Sequence, residues 1–127
     1  MKRLAYKYHC EGYGCGQCII KAADEKYGLN LSPDVVKAAG ALGSGCGYGG
    51  LCTAITASIM IFGIMFDETR AKSLRISFLE EFNCKYGNFN CCSLSARFNC
   101  CNIIEDAADI ADRLIAAELE CNHSSRL

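Results

Sequence analysis

The sequence predicts an all-α fold, a single-domain bundle of about five helices around a central apolar helix at residues 51–66. Three observations support this prediction. Apolar residues recur at helical spacing along most of the chain, and no segment alternates apolar and polar residues as a strand does. The chain has a single proline, Pro33, at the start of a helical segment. Because 127 residues are enough for one packed core, we expect residues 1–127 to form one helical, cysteine-rich domain.

The first helical segments precede a loop that is dense in glycine. Residues 1–14 are polar and aromatic, and we expect them to form a short helix or coil. Over residues 15–27 the small and apolar side chains fall on one helical face, and Gly28 is the residue type that commonly ends a helix. Ser32 and Pro33 then match the N-cap and the first residue of a second helix.

The predicted central helix, residues 51–66, is entered from a glycine-rich loop. Six of the eleven residues at positions 40–50 are glycine, and the segment that follows carries no charged side chain. A helix that is apolar nearly all round is expected in the middle of a bundle. The segment is shorter than the roughly 20 residues that span a bilayer, so we expect no membrane span.

Two more helices complete the predicted bundle. Residues 67–86 place apolar side chains at near-helical spacing, and Gly87 ends that segment. A short asparagine-rich connection, residues 88–99, is expected to hold at most one helical turn. The last helix is expected to start near Cys101 or Asn102, because acidic residues follow in what would be its early turns.

The charge balance and the start of the sequence limit the expected location and partners. The formal net charge of −1 gives no indication of binding to nucleic acid or to an anionic membrane. The first residues lack the apolar run of a secretory signal peptide. We therefore expect a cytoplasmic protein that binds neither nucleic acid nor a membrane.

Cysteine is the distinctive feature of the composition, at 11 of 127 residues. The odd number, the missing secretion signal and the adequate core argue against a disulfide framework. Cytosolic thiols are kept reduced, so the composition indicates metal or cluster ligation, or thiol redox chemistry, and it suits an anaerobic cell. Most of the cysteines lie at the ends of predicted helices. Backbone amides at a helix start favour the thiolate, and Cys15, Cys52 and Cys101 hold such positions.

Short motifs by themselves identify no cofactor. Cys15 and Cys18 form a CxxC pair, but no histidine follows it as in c-type haem proteins, and no strand precedes it as in thioredoxins. Residues 45–50 match GxGxxG without the preceding strand of a dinucleotide fold, and the lysine of a P-loop is absent. His9 and His123 are too few for a histidine-based metal site, and the paired CxxC spacing of a zinc site is missing.

Several stretches together resemble a known family. They are residues 13–17 (YGCGQ), the glycine loop with residues 52–57 (CTAITA), Tyr86-Gly87 with Cys91, and Cys100 with residues 103–108 (IIEDAA). Over roughly residues 13–115 the chain resembles the C-GCAxxG-C-C family, small helical proteins named for four signature cysteines. Matched position by position, the signature cysteines are Cys15, Cys52, Cys91 and Cys100. The resemblance implies a redox role, with an iron–sulfur cluster as the cofactor.

The leading hypothesis is an iron–sulfur redox protein that transfers electrons or stores a cluster on cysteine thiolates. The four signature cysteines are the predicted ligands. Secondary candidates for holding the cofactor are Cys46, Cys18, Cys92 and Cys101, of which Cys46 is also a candidate metal ligand. The amides of Gly45 and Gly47 are expected to approach the cluster sulfides, whose hydrogen bonds tune the reduction potential. On this hypothesis the four signature cysteines converge beside the glycine loop.

Two other hypotheses remain open. One is a metal-free dithiol oxidoreductase or redox sensor, in which Cys15 and Cys18, or a long-range pair, cycle between thiol and disulfide. The other is a zinc-binding or metal-trafficking accessory protein. Electron transfer is expected more than a catalytic activity of the protein's own. The sequence does not identify the redox partner protein, and it leaves a homodimer open.

Overall fold

The computed structural model describes the backbone of residues 1–125 and the side chains of residues 1–121. This part of the chain folds into seven α-helices and contains no β-strand. The helices are α1 (Lys2–Cys10), α2 (Cys15–Tyr27), α3 (Pro33–Gly40), α4 (Thr53–Met65), α5 (Glu68–Tyr86), α6 (Cys91–Arg97) and α7 (Cys100–Ser125). An irregular turn between α3 and α4, Gly45–Gly49, is called the glycine turn here. The all-α prediction is confirmed.

The number of helices differs from the prediction, with seven instead of about five. The additional helices are α1, predicted as a short helix or coil, and α6, predicted as a connection. With nine and seven residues they are too short to be stable alone, so they depend on tertiary contacts. α1 packs against α2 and α7 and buries Ala5, while α6 packs against the glycine turn and buries Leu94. Contacts between distant segments leave no trace in the local sequence pattern.

Several helix ends follow local signals in the sequence. α2 spans the predicted residues and ends at Gly28, which has a left-handed conformation with φ of 61°. Ser32 caps α3, and its hydroxyl accepts a hydrogen bond from the Asp34 amide at 3.3 Å. α4 begins later than predicted, because Leu51 is instead paired with Asn90 in an isolated antiparallel bridge.

α4 packs against α2, α5 and α7 and contributes apolar side chains to the core. Ile55 and Phe62 are fully buried, and the Phe62 ring meets Phe78 of α5 edge to face, with 5.9 Å between centroids. The end of the helix is more open, since Ile64 is 44% exposed. α4 is therefore shorter than predicted and is not enclosed on every side. Across the described residues, none of the helices has both the length and the apolarity needed to cross a bilayer.

The end of α2 meets the middle of α7 at Asp112. The Asp112 carboxylate accepts a hydrogen bond from the Tyr27 hydroxyl and forms ion pairs with Lys26 at 2.6 Å and with the Met1 amine at 3.1 Å. Tyr27 lies as many residues after Cys15, the first residue of α2, as Asp112 lies after Cys100, the first residue of α7. Cys15 and Cys100 also lie close together. α2 and α7 therefore run parallel, and α1 runs antiparallel to both of them.

Replacing Asp112 with asparagine is expected to destabilise the fold by about 1–3 kcal/mol at pH 7. Burial alone would raise the pKa of Asp112, but hydrogen bonds from Lys26, Tyr27 and the Met1 amine outweigh it and lower the pKa. A carboxyl of this kind contributes stability above its unfolded pKa, about 3.9, and loses that contribution as the pH falls further. Urea unfolding should show the full difference between the proteins at pH 7 and a smaller one at pH 3.

Asp109→Asn is the matched control, because Asp109 lies on the same helix. Its carboxylate is half exposed and pairs with Arg113 one turn later, also at the surface. An exposed pair of this kind contributes little, so the expected cost is about 0.5 kcal/mol or less. Equal losses in the two variants would contradict the stabilising role assigned to Asp112.

Candidate thiol site

Each of the four signature cysteines lies at the start of a helix. Cys15, Cys91 and Cys100 are the first residues of α2, α6 and α7, and Cys52 directly precedes α4. The structure places all four around one inner cavity of about 20 Å³, which is room for about one water molecule. The lining is completed by Ser44, Thr53, Leu94, Ser95 and Ile103.

A wider depression of about 450 Å³ opens outside the inner cavity. Cys15, Cys91 and Cys100 line both compartments, whereas Cys52 lines only the inner cavity and is 5% exposed. Cys92 lines only the outer depression. These two compartments form the thiol site, which has a buried floor at Cys52 and an open mouth at Cys92.

α7 starts at Cys100, one residue before the earlier of the two predicted starts, Cys101 and Asn102. The side-chain carbonyl of Asn99 accepts a hydrogen bond from the Cys101 amide at 2.8 Å, so Asn99 is the capping residue. Cys100 is thereby the first helical residue and reaches the thiol site. Cys101 lies about 100° further round the helix and faces another side.

Two backbone hydrogen bonds hold Cys52 beside Cys91. The Cys52 amide donates to the Phe89 carbonyl at 2.8 Å, and the Cys91 amide donates to the Gly50 carbonyl at 2.6 Å. This short antiparallel pairing joins the segment before α4 to the segment before α6. It aligns two cysteines that are far apart in the sequence.

The glycine turn brings bare backbone against the start of α6. Gly45 has φ of 59°, and a Cβ there would lie 2.5 Å from the Gly50 amide nitrogen and 2.9 Å from the Cys91 Cβ. A Cβ on Gly49 would lie 2.8 Å from the Cys92 Cβ. Side chains at these two positions would overlap with their neighbours. Glycine is therefore needed for the close approach of this turn to the two cysteines.

Two other residues of this loop adopt left-handed conformations without being glycine. Ser44 has φ of 57° and Cys46 has φ of 60°. Such a conformation costs roughly 1–2 kcal/mol, which the surrounding contacts must offset. Gly47 lines the outer depression, whereas Cys46 is exposed and lies outside the lining of both compartments. The structure thus brings Gly47 to the thiol site but not Cys46.

Close packing of α2 on α4 brings Cys15 toward Cys52. A Cβ on Gly16 would lie only 2.6 Å from Cγ2 of Thr53, so the two helices approach as closely as a glycine allows. The Thr53 hydroxyl donates to the Leu42 carbonyl at 2.8 Å and ties the start of α4 to the loop before the glycine turn. Small residues therefore set the spacing of these two cysteines.

The described residues that line the thiol site carry no charged side chain. Burial, followed by the neighbouring thiolates of Cys52 and Cys100, raises the pKa of Cys15 to about 12. Burial also raises the pKa of Cys52, although backbone amides at the start of α4 partly lower it. Burial and then the Cys100 thiolate raise the pKa of Cys91. In the absence of a metal, these three thiols are protonated at neutral pH.

The metal-free protein is expected to lose stability as the pH rises above 9. A thiol with a raised pKa contributes stability that is fully present below its unfolded pKa and is lost as the pH approaches the folded value. For Cys15 that window runs from 9.0 to about 12, and the loss between pH 8 and pH 10 is about 1 kcal/mol. Urea unfolding in the presence of chelator and reductant measures this loss of stability. Between pH 8 and pH 10, Cys15→Ser should lose about 1 kcal/mol less stability than the wild type. Equal losses in the two proteins would contradict the expectation.

Two secondary candidates, Cys18 and Cys101, lie away from the thiol site. Cys18 is fully buried, and its thiol donates to the Tyr13 carbonyl at 3.5 Å. Of the four secondary candidates, only Cys92 lines the site. Within the described part of the chain, no three His, Cys, Asp or Glu side chains are arranged as ligands of a single metal ion.

Several lining residues of the thiol site were missed by the sequence analysis, among them Ser44, Ser95 and Tyr48. Ser44 and Ser95 line both compartments, and Tyr48 lines the outer depression with 81% of its side chain exposed. Ser95 lies one turn after Cys91, and its hydroxyl donates to the Cys91 carbonyl at 2.7 Å. Once residues 91–97 are known to be helical, the i, i+4 spacing from Cys91 indicates that Ser95 lies at the same site. For Ser44 and Tyr48 the only local signal is their place in the glycine-rich loop.

Comparison with known proteins agrees with the resemblance found in the sequence. A family model described as "Putative redox-active protein (C_GCAxxG_C_C)" matches residues 13–114. No curated protein and no solved structure has significant similarity to the chain. The matched region covers most of the chain and contains all four cysteines that surround the inner cavity. The chain therefore belongs to the C-GCAxxG-C-C family.

Proposed function

We propose that the protein is a redox protein that holds an iron–sulfur cluster at the thiol site, for electron transfer or cluster storage. The ligands are the thiolates of Cys15, Cys52, Cys91 and Cys100. The observation that carries this proposal is that four thiols from four separate helix starts line one cavity. A cysteine that is buried only as a small apolar residue needs apolar surroundings. Such burial gives no reason for four cysteines to lie in one place.

The donor set fits such a cluster. The described lining offers thiols and hydroxyls, without a carboxylate or an imidazole, and thiolates are the ligands that iron–sulfur clusters use. The outer depression, at about 450 Å³, supplies space beside three of the four thiols. When bound, the cluster supplies a redox couple that exchanges electrons with a partner.

The helix starts favour the negative charge of such a group. α2, α4 and α7 each direct the positive end of a helix dipole toward the thiol site, and the lining has no carboxylate to oppose it. The protonated thiols would release their protons on ligation, so assembly is expected to be more favourable at higher pH. Leu94 and Ile103 form the apolar part of the inner wall and limit the access of water to Cys52.

The same thiols are poorly suited to metal-free disulfide exchange. The attacking species in that chemistry is the thiolate, and a pKa of about 12 leaves Cys15 almost entirely protonated at neutral pH. Metal ligation overcomes this barrier, because a coordinating metal displaces the thiol proton directly. We therefore favour the cluster over the dithiol function at this site.

Analysis of the protein purified without oxygen tests the proposal. We expect iron and acid-labile sulfide in comparable amounts, with visible absorbance that bleaches on addition of a reductant. Protein that lacks both elements as purified and after reconstitution with iron and sulfide would contradict the proposal. Zinc in their place would favour the accessory-protein hypothesis instead.

A further inference from the structure

A second cavity lies between α2 and α3, beside the end of α1, and is called the α2–α3 cavity here. Its volume is about 510 Å³, within the range of about 300–1,000 Å³ that is typical of small-molecule sites. None of its described lining residues also lines the thiol site, so the proposed cluster function gives this cavity no role.

Two side-chain hydrogen bonds fix the walls of the α2–α3 cavity. The Gln17 side-chain amide on α2 donates to the Val36 carbonyl of α3 at 3.1 Å. The Asp24 carboxylate accepts from the Leu31 amide at 3.2 Å, which ties the loop before α3 to α2. The cavity is therefore formed before any ligand binds, and binding does not have to order these segments.

Lys21 is a half-buried cation of this cavity that has no carboxylate partner. Asp24 and Glu25 follow it by three and four residues on α2, a spacing at which lysine often forms ion pairs. None of the ion pairs among the described residues includes Lys21. Its ammonium instead lies over the rings of Tyr8 and Tyr13, at 5.0 and 4.7 Å from their centroids.

The two carboxylates of the cavity have partners other than Lys21. Glu25 accepts a hydrogen bond from the Tyr8 hydroxyl at 2.7 Å, and Asp24 accepts the one from Leu31. Tyr8 stays a donor at neutral pH, because its hydrogen bond to Glu25, together with burial, raises its pKa to about 12. The cavity thus holds a cation and two anions that are near one another in the chain but do not pair.

A second cation and an apolar surface complete the lining. Lys37 is exposed and takes part in none of the ion pairs among the described residues. Leu31 and Val36 are half-buried, and Pro33 lies beside them at the start of α3. The lining therefore carries two positive and two negative side chains. A simple anion or cation would meet like charges as well as opposite ones, whereas a zwitterion can meet an opposite charge at each end.

We propose that the α2–α3 cavity binds a small zwitterion of the amino-acid class that has an apolar side chain. The carboxylate of the ligand lies at Lys21 and Lys37, and its ammonium lies at Asp24 and Glu25. The apolar side chain of the ligand packs against the α3 wall and the tyrosine rings. This site is separate from the thiol site, and neither proposal depends on the other.

Titration of the full chain with compounds that share a phenyl ring tests the proposal. L-Phenylalanine carries both charges, 3-phenylpropionate lacks the ammonium, and 2-phenylethylamine lacks the carboxylate. We expect phenylalanine to shift the backbone amide signals of residues 31–37 in two-dimensional NMR spectra. It should bind at least about tenfold more tightly than either analogue, because each analogue leaves one pair of charges in the cavity without a partner. The absence of these shifts, or equal affinity for either analogue, would overturn the proposal.

Variants that remove charge test which residues hold each end of the ligand. Lys21→Met keeps an unbranched side chain but removes the ammonium, so the affinity for phenylalanine should fall about tenfold. Asp24→Asn combined with Glu25→Gln keeps both hydrogen-bond acceptors and removes both negative charges, so 3-phenylpropionate should then bind more tightly than phenylalanine.

Lys2→Met is the matched control, because Lys2 is an exposed lysine of α1 outside the cavity lining. It should bind phenylalanine as the wild type does. Unchanged affinity in Lys21→Met, or equal weakening in Lys2→Met, would contradict the assigned role of Lys21 and overturn the proposal. Circular dichroism shows whether each variant keeps the helical fold. If a variant does not fold, the comparison of the three compounds on the wild type still decides the proposal.

Discussion

On the proposed cluster function, Cys52→Ser is expected to lose most of the bound iron and sulfide, because Cys52 forms the buried floor of the thiol site. It is the one signature cysteine that lines only the inner cavity, and it is 5% exposed. A hydroxyl replaces the thiol without a change in shape, but it is a poor ligand for the iron of a cluster. Iron and sulfide analysis after anaerobic reconstitution, at matched protein concentration, measures the effect.

Cys46→Ser and Cys84→Ser are the controls for this prediction. Both residues are exposed, and neither lines the thiol site, although the sequence made Cys46 a candidate ligand. Both variants should keep the iron and sulfide content of the wild type. Cys52→Ser with a helical spectrum and a full complement of iron would exclude Cys52 as a ligand. A larger loss in Cys46→Ser than in Cys52→Ser would mean that the wrong cysteines have been assigned to the cluster.

Gly45→Ala is expected to destabilise the fold by about 2–5 kcal/mol, because two separate costs combine at this position. The new Cβ would lie 2.5 Å from the Gly50 backbone and 2.9 Å from the Cys91 Cβ. The neighbouring backbone atoms belong to the pairing that aligns Cys91 with Cys52, so they cannot move without disturbing it. The φ of 59° adds the cost of a left-handed conformation for a residue with a side chain. Urea unfolding of the metal-free protein measures the loss.

Gly47→Ala separates these two costs. Gly47 has φ of 81° in the same turn, but nothing lies within 4 Å of a Cβ placed there. Only the conformational cost applies, which is roughly 1–2 kcal/mol. The difference between the variants therefore reports the steric contact of the glycine turn with Cys91. Equal destabilisation by the two substitutions would show that this contact does not hold the turn in place.

Much of the helical framework could be predicted from the sequence, because its signals are local. The face of α2, the left-handed Gly28 after it and the Ser32 cap of α3 all depend on residues within one or two helical turns. α1 was predicted as a short helix or coil and α6 as part of a connection, since packing against distant segments stabilises both helices. The start of α7 was placed too late because Asn99 was not recognised as its cap.

The composition of the candidate site was only partly predictable. The four signature cysteines were identified by their resemblance to a family, and the structure places them around one cavity. The sequence could not show which of the remaining cysteines line the site and which lie elsewhere. Cys100 and Cys101 are neighbours in the chain, yet they serve different sides of α7, since successive helical residues differ by about 100°. Cys46 lies inside the glycine loop but is exposed and is not among the residues that line the site.

The helical fold, the richness in thiols and the relation to a redox family can all be read from the sequence, because periodicity, capping residues and the order of four cysteines are local or linear properties of the chain. Which thiols share a cavity depends on the tertiary structure. That outcome depends on the close approach of Gly16 to Thr53, on the packing of Gly45 against Cys91 and on the parallel course of α2 and α7. Each is a contact between residues distant in sequence, and its geometry is set by packing and not by local preference.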